Sequence, residues 1–211
     1  MITPTNSGHS SLFENSELVF VPSKNTWVKL SSCIWAEDET QIPGKESLKS
    51  AYLELELFFH KLLGVPKPDI KMHVQGLMNL ARKKTQSSEL EIKGLMKVIS
   101  SLNPMADDVA ELKGANIFFV KTGQGHKTRA TSAASFAIVD RLEYGAAFTG
   151  KIGMLDYTVE EVNACKPLFH SLGMKKKYLS ELVDEKTSVD DGVISTKLTE
   201  SFRSKAYAFV R

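Results

Sequence analysis

The run Gly123–Thr128 (GQGHKT) follows an apolar stretch and is a candidate phosphate-binding loop. A P-loop requires a glycine directly before its lysine, because the backbone folds round the phosphates at that point. His126 occupies this position, and the two glycines of the run are too close together. Lys121–Gly123 (KTG) has the order found in penicillin-binding proteins, but the chain lacks the accompanying S-x-x-K and S-D-N motifs. We therefore predict that this run is the tip of a β-hairpin.

Cys165 and His170 could supply a nucleophile and its base. Both fall on one predicted helix, where a separation of five residues turns them about 140° apart, so this helix cannot pair them. We expect Cys165 to be a core residue and His170 to lie near a helix C-terminus, where a cation suits the dipole. Cys33 and Cys165 show no C-x-x-C spacing and are typical of reduced thiols in an intracellular protein, although a single disulfide stays open.

Metal binding would require histidines and cysteines at characteristic spacings. Neither H-x-x-x-H nor a paired Cys/His motif occurs among the five histidines, His9, His60, His73, His126 and His170. His60 and His73 flank a predicted helix turn, but no thiol or carboxylate ligand is indicated beside them. The sequence therefore predicts no metal, no cofactor and no catalytic residue, and the protein is predicted not to be an enzyme.

Charge gives no overall preference for nucleic acid, because 27 basic and 25 acidic residues leave a formal net charge of +2. Basic clusters occur at Arg82–Lys84, at Lys127 with Arg129, and at Lys175–Lys177. The first and last fall at predicted helix ends, where cations favour the dipole. A nucleic-acid surface would need these clusters on one face together with stacking aromatic side chains. Such a stand-alone nucleic-acid-binding module is the alternative function.

The acidic pairs are explained by local structure as well. Glu160–Glu161 belong to the first turn of a predicted helix, where carboxylates are favoured. Asp190–Asp191 precede a glycine and are typical of a turn. No local apolar pocket surrounds either pair to raise a carboxyl pKa for acid–base catalysis. The third acidic pair of the chain is Asp107–Asp108.

The composition is that of a globular protein, with 42% hydrophobic and 25% charged residues. Apolar stretches are too short or too broken by charge to span a bilayer. The polar residues 1–11 lack the basic and apolar regions of a signal peptide and are predicted to be disordered. We expect an intracellular protein of the cytoplasm or nucleus, without membrane contact.

A β-hairpin is predicted over Leu18–Leu30. Apolar Leu18–Val21 and alternating Thr26–Leu30 flank the turn residues Pro22–Asn25. Cys33–Trp35 are expected to continue its buried side.

Four helical segments follow in the prediction. In the first, apolar residues recur at three- and four-residue spacing from Leu48 to Leu63, with Ser47 as N-cap and Gly64 as C-cap. The second runs from Pro68-Asp69 to about Lys84, the third starts at a Ser88/Glu91 capping box, and the fourth covers Ala106–Lys113. The second is expected to bury Ile70, Val74, Leu77, Met78 and Ala81, and the third Leu90, Leu95, Ile99 and Leu102.

A second hairpin region is predicted over Asn116–Asp140, with strands at Asn116–Lys121 and Phe136–Val139 joined by a polar connection. The remaining predicted helices are Leu142–Phe148, a helix from the Thr158/Glu161 capping box to Leu172 with Gly173 as cap, Tyr178–Val183, and a last helix with Leu198, Phe202, Ala206 and Phe209 on one side. Asp184–Gly192 is predicted to be a loop.

These elements predict an α+β fold in which a β-hairpin region packs on amphipathic helices and a second small mixed α/β lobe follows. The lobes are predicted at residues 12–113 and 114–211, with the alternative that both share one core. Because the last helical pattern still runs at Arg211, the second lobe is expected to be truncated.

Several phrases of the chain carry a family resemblance. They are Val19–Pro22 with Trp27-Val28, Cys33–Trp35, Gln41–Lys45, Phe59 to Gly64–Pro68, Phe136–Arg141, Glu143–Gly145, Met154–Asp156 and Tyr178–Ser180. Together these phrases resemble a downstream region of very large fungal proteins that carry a histidine-kinase/heat-shock-chaperone-like ATPase domain and are related to sacsin and NO VEIN. The resemblance covers about residues 12–211.

The resemblance implies a non-catalytic segment, because the ATPase motifs of that group are missing from the chain. Asp191-Gly192 is followed by Val193-Ile194 without the second glycine of D-x-G-x-G, so no ATP-binding residue can be assigned. The implied function is a scaffold or interaction segment whose partner is the remainder of a parent ATPase-type protein or another protein. Exposed apolar patches around Leu55–Leu63 or Phe202–Phe209 would favour it. A small hydrolase would instead need a pocket that brings Cys165 or a serine beside a histidine of another element.

Overall fold

A computed structural model of the protein describes residues 12–82, 89–185 and 195–206, and its mixed α+β architecture confirms the predicted fold class. The strands are β1 (Glu17–Val21), β2 (Thr26–Lys29), β3 (Cys33–Ile34), β4 (Glu46–Ser47), β5 (Phe118–Lys121), β6 (Lys127–Ala130) and β7 (Met154–Leu155). The α-helices are α1 (Ile70–Arg82), α2 (Glu89–Ser101), α3 (Leu142–Phe148), α4 (Val159–Ala164), α5 (Lys166–Ser171), α6 (Leu179–Leu182) and α7 (Thr196–Ala206).

The predicted N-terminal hairpin is confirmed. β1 and β2 pair antiparallel, with Phe20 opposite Trp27, and Asn25 takes the left-handed turn conformation at φ 50°. β3 and β4 form a separate parallel pair. Residues 12–65, here called the N-terminal lobe, have their own core, which joins the inner face of the hairpin to the chain as far as Val65. Its buried members are Val19, Val21, Leu30, Cys33, Trp35, Leu48, Phe59, Leu63 and Val65.

The predicted helix from Leu48 to Leu63 is wrong as a continuous α-helix. The chain forms a turn, then a 3₁₀-helix at Leu53–Leu55, then a π-helix at Leu57–Leu62. Ser47 lies in β4 rather than at an N-cap. A tight turn followed by a wide one breaks the 3.6-residue period, so the predicted stripe does not stay on one face. The predicted end is confirmed, since Gly64 has φ +72°.

Helices α1 and α2 occur where the capping and periodic signals predicted them. Asp69 caps α1 by accepting a hydrogen bond from the Met72 backbone N–H at 2.8 Å. The predicted cap Ser88 lies outside the described residues. The predicted apolar face of α2 is only partly right, because Leu90 is 83% exposed and Leu102 is also exposed. The buried stripe is instead Ile92, Leu95, Met96 and Ile99, which faces the core.

The predicted fourth helical piece is a 3₁₀-helix at Ala110–Gly114. The second hairpin exists, but its second strand was predicted wrongly. β5 pairs with β6, which falls in the predicted connection, and not with Phe136–Val139. A tight turn reverses the chain at once, because Thr122 N–H donates to the His126 carbonyl and Gly125 takes φ +81°. β7 pairs with the other edge of β5. Residues 136–139 contribute only isolated bridges, one of which joins Ala137 to Met154.

The Thr158/Glu161 capping box is confirmed, with both reciprocal hydrogen bonds present. The helix predicted to run to Leu172 is divided at Cys165 into α4 and α5. Pro167 lies in the first turn of α5, where its missing N–H costs no helical hydrogen bond. The predicted helices at Leu142–Phe148 and Tyr178–Val183 correspond to α3 and α6. The predicted last helix is α7, whereas Phe209 and most of the predicted loop Asp184–Gly192 lie outside the described residues.

A larger core packs α1 and α2 against the β6–β5–β7 sheet, α4 and α5. Buried residues from Val74 to Tyr178 belong to it, so residues on both sides of Gly114 share one core. This is the arrangement that the sequence left open as an alternative, and the domain boundaries themselves stay a prediction. A small cluster of Ile34, Ala36 and Ile42, with Met72 packed on it, connects the N-terminal lobe to α1.

Two helix glycines give a matched test of this packing. A Cβ at Gly76 in α1 would lie 2.9 Å from Pro43 Cδ, whereas a Cβ at Gly94 in α2 would meet nothing within 4 Å. We expect Gly76→Ala to destabilise the protein by about 1–3 kcal/mol through overpacking. Gly94→Ala should stabilise it by about 0.5–1 kcal/mol through helix propensity. Urea unfolding of both variants measures the difference, and equal midpoints would contradict the Pro43 contact.

A second prediction concerns pH. His73 in α1 is 6% exposed, and its Nδ1 atom has no hydrogen-bond partner within the described residues. Burial lowers the pKa of His73, while the Asp69 carboxylate opposes the shift. The unfolded state therefore binds the proton more tightly, so stability falls as pH drops below the unfolded pKa of about 6.5.

Thermal melts between pH 5 and pH 8 check this expectation. The His73→Leu variant should lose this part of the pH dependence, because its side chain does not titrate. His126→Leu, which removes an exposed imidazole at a hairpin tip, is the control and should keep it. A pH profile that is the same for the protein and the His73→Leu variant would rule out His73 as the cause.

Candidate functional site

Among the described residues, the chemical motifs identified in the sequence do not come together in one site. The Gly123–Thr128 run contains the β5–β6 turn and the start of β6, which confirms the interpretation as a hairpin tip. A Cβ at Gly123 would lie 2.5 Å from the Gly150 carbonyl oxygen, so these two loops meet backbone to backbone. Glycine is needed at position 123 for this close approach.

The two cysteines are core residues, as predicted for Cys165. Both are free and buried, Cys33 in the N-terminal lobe and Cys165 in the larger core. Burial raises the pKa of Cys33 to about 11 and that of Cys165 to about 12, so neither is a ready thiolate at neutral pH. His170 lies exposed at the end of α5, with its ring 5.8 Å from that of Tyr178.

The histidines are dispersed. His60 Nδ1 lies 2.8 Å from the Val65 carbonyl oxygen, while His73 is buried in α1. Within the described part of the chain, no three His, Cys, Asp or Glu side chains come together in an arrangement that could hold a metal ion.

The basic clusters are partly used by structural contacts. Lys127 lies 2.6 Å from an Asp156 carboxylate oxygen and 2.9 Å from one of Glu89. Its hydrogen bond lowers the pKa of Asp156, and the same contact raises the pKa of Lys127. Lys177 lies over the Phe136 ring and donates to the Ala134 carbonyl. Because their ammonium groups are engaged in these contacts, Lys127 and Lys177 do not present free charges to a nucleic acid.

An ion-pair network on α2 accounts for another group of charges. Lys93 Nζ donates to the Asp156 carbonyl at 2.6 Å and lies 3.2 Å from Glu89 and 3.4 Å from Glu161. It also lies 4.4 Å from the centre of the Tyr157 ring. Burial of the Glu161 carboxyl acts to raise its pKa, but hydrogen bonds from the Thr158 backbone N–H and from Lys97 lower the pKa below its usual value. The network therefore fixes the capping box of α4 onto α2, which is a structural role.

The feature that stands out as a functional surface is apolar. Residues 53–62, here called the apolar segment, form the 3₁₀-helix and the π-helix of the N-terminal lobe. Leu57 is 76% exposed and Leu53 is 62% exposed. The other exposed large apolar side chains of the segment are Leu55, Phe58 and Leu62. Single exposed leucines are common, but contiguous apolar patches mark interaction sites.

The apolar segment is held firmly although its surface is exposed. Phe59, which is 6% exposed, packs its ring 4.9 Å from that of Tyr52 and 6.4 Å from that of Trp35. The Tyr52 hydroxyl donates to the Phe20 carbonyl at 2.9 Å, which ties the segment to β1. Leu63 N–H donates to the Phe58 carbonyl and closes the wide π turn. A rigid support means that a partner would not have to order this surface on binding.

From the sequence, exposed apolar patches around Leu55–Leu63 were expected of a scaffold segment, but the predicted helix placed Leu55, Phe58 and Leu62 on one face with buried residues. The alternation Leu53-Glu54-Leu55-Glu56-Leu57 has a period of two, which argues against a continuous amphipathic helix, but this pattern carries no signal that the leucines are exposed. Tyr52, Phe59 and Leu63 pack inward, His60 is half-buried, and the other residues from Leu53 to Leu62 are exposed.

Two truncations should separate the support of the apolar segment from its surface. Phe59→Ala is expected to destabilise the protein by about 3–5 kcal/mol, because it removes a buried ring. Leu57→Ala should change the free energy of unfolding by less than about 0.5 kcal/mol, because its side chain is solvated. Chemical denaturation measures both, and a large loss in Leu57→Ala would show that the surface is not free.

A family profile described as "Domain of unknown function (DUF8348)" matches residues 71–183, which coincides with the larger core. Comparison with curated proteins and with solved structures gave no match. None of the helices in the described ranges has the length and hydropathy that a membrane crossing requires.

Proposed function

Because the chain belongs to the DUF8348 family, whose description names no activity, we propose a function from its surfaces: a non-catalytic interaction module that binds a protein partner. The observation that carries this proposal is the apolar segment, where five large apolar side chains are exposed on a rigid support. An exposed apolar patch around Leu55–Leu63 is one of the features that the sequence-based hypothesis expected of a scaffold segment.

The energetics of the apolar segment support binding. Fully burying one leucine or phenylalanine side chain contributes about 1.5–3 kcal/mol. Several such side chains are enough to offset the cost of association when the surface is preorganised. Glu54 and Glu56 interrupt the apolar residues, so the segment favours a partner whose apolar groove has a basic rim.

The partner that we propose is the remainder of a chaperone-like ATPase protein of the sacsin and NO VEIN type. The support is the resemblance of residues 12–211 to a downstream region of such proteins, part of which lies in the apolar segment at Phe59 and just after it at Gly64–Pro68. In this proposal the module relays or receives domain movement, and any ATP hydrolysis belongs to the partner.

Calorimetric titration tests the proposal. A purified histidine-kinase/heat-shock-chaperone-like ATPase domain of a sacsin-type protein should bind the chain saturably, with the negative heat-capacity change of apolar burial. Leu55→Asp combined with Leu57→Asp should weaken binding by roughly tenfold or more, since each 1.4 kcal/mol lost is a factor of ten. The ATPase rate of the partner should change on binding of the chain and not of the double variant.

Met105→Asp is the control, because Met105 is about as exposed as Leu57, 75% against 76%, but lies outside the apolar segment. It should bind as the unaltered chain does. Binding that survives the double substitution, or no binding at all, would refute the proposal. The alternative module would show itself differently, as binding to single-stranded nucleic acid that weakens with salt and does not respond to the leucine substitutions.

A further inference from the structure

A second surface, formed by residues outside the apolar segment, is a groove of about 930 Å³ between the loop 38–47, which ends in β4, and one side of α2. Leu90, Gly94 and Val98 line it at helical spacing, and their side of α2 is exposed. A Cβ at Gly94 would meet nothing within 4 Å, so the middle of this helix side is open. This is the shape of a groove that accepts the apolar side of another helix.

The groove carries more negative than positive charge. Lys24 lies 2.7 Å from Glu46, so these two charges compensate each other, and the other lysine, Lys45, keeps its charge while donating to the Ser31 carbonyl at 2.6 Å. Carboxylates line both walls, Asp38 and Glu39 on the loop and Glu91 on α2. An apolar floor with acidic walls is complementary to an amphipathic helix with basic flanks.

Helix α7 has this character. Leu198 and Phe202, four residues apart on one side, are 64% and 77% exposed. At 100° per residue, Lys197 and Arg203 fall on opposite flanks of that side, and Glu200 falls behind it. No described residue that lines the groove belongs to α7, so the structure shows the two surfaces apart.

Chain length permits contact within one molecule. Residues 183–195 connect α6 to α7, and a connection of that length spans roughly 40 Å when extended. A domain of this size is about 40 Å across. Two segments of one chain that lie within reach of each other meet at a higher effective concentration than two separate molecules, which favours an intramolecular occupant over a second copy.

We propose that α7 docks into the groove between loop 38–47 and α2 of its own chain, with Leu198 and Phe202 on the apolar floor and the basic flanks against Asp38, Glu39 and Glu91. Docking would place α7 in contact with both the N-terminal lobe and residues 71–183, here called the family domain. The proposal does not depend on the partner of the apolar segment, because it uses a different surface.

Zero-length carbodiimide cross-linking of the full chain tests this placement, because it joins only amines and carboxylates that lie in ion-pair contact. We expect Lys197 to be linked to Asp38, Glu39 or Glu91, as mapped by mass spectrometry. Leu198→Asp combined with Phe202→Asp leaves these groups in place but should lower the yield roughly tenfold, the change for about 1.4 kcal/mol of lost contact. High salt should also lower the yield by screening the flanks.

Controls fix the identity of the occupant. Leu57→Asp, on the apolar segment, should leave the cross-links unchanged. Equal amounts of ¹⁴N- and ¹⁵N-labelled chain distinguish the origin of each link, and we expect links within one isotope only. Mixed-isotope links, links that persist in the Leu198/Phe202 double variant, or the absence of any link from Lys197 to these three carboxylates would each overturn the proposal.

Discussion

The larger core depends on the burial of one side of α2. Ile92, Met96 and Ile99 are fully buried there, so the helix contacts α1 on one side and α4 and α5 on the other. Polar contacts fix the same packing, because the Ser100 hydroxyl accepts a hydrogen bond from Leu168 N–H and Lys93 holds the Asp156 carbonyl. Because buried lysine and serine groups cost free energy unless they are paired, these contacts select one arrangement of the elements around α2.

This organisation separates the family domain from the surface proposed for binding. The family match begins at residue 71, after the apolar segment has ended, and extends over the elements packed on α2. The N-terminal lobe has its own aromatic core around Trp35 and Phe59 and meets α1 through the small cluster at Ile42. A change in the exposed surface of that lobe can therefore alter binding with little effect on the larger core.

The sequence predicted those elements whose signals are local. Asp69, the Thr158/Glu161 capping box and Gly173 mark helix ends through their own side chains or backbone, and the structure has helix ends at all three. The strand at Lys127–Ala130 was missed because its residues are polar and its pairing is set by the turn before it. The helix over the apolar segment was predicted wrongly because apolar spacing alone cannot show a π-helix, in which only Phe59 of the residues from Leu57 to Leu62 is buried.

The placement of the two cysteines, one in each core, makes the protein its own reporter of local opening. A thiol reagent reaches Cys33 only when the N-terminal core opens and Cys165 only when the larger core opens, because both side chains are buried. The rate at which each thiol is alkylated therefore reports how often one part of the molecule opens. Two different labelling rates would mean that the two cores open independently, and one shared rate would mean that they open as a single cooperative unit.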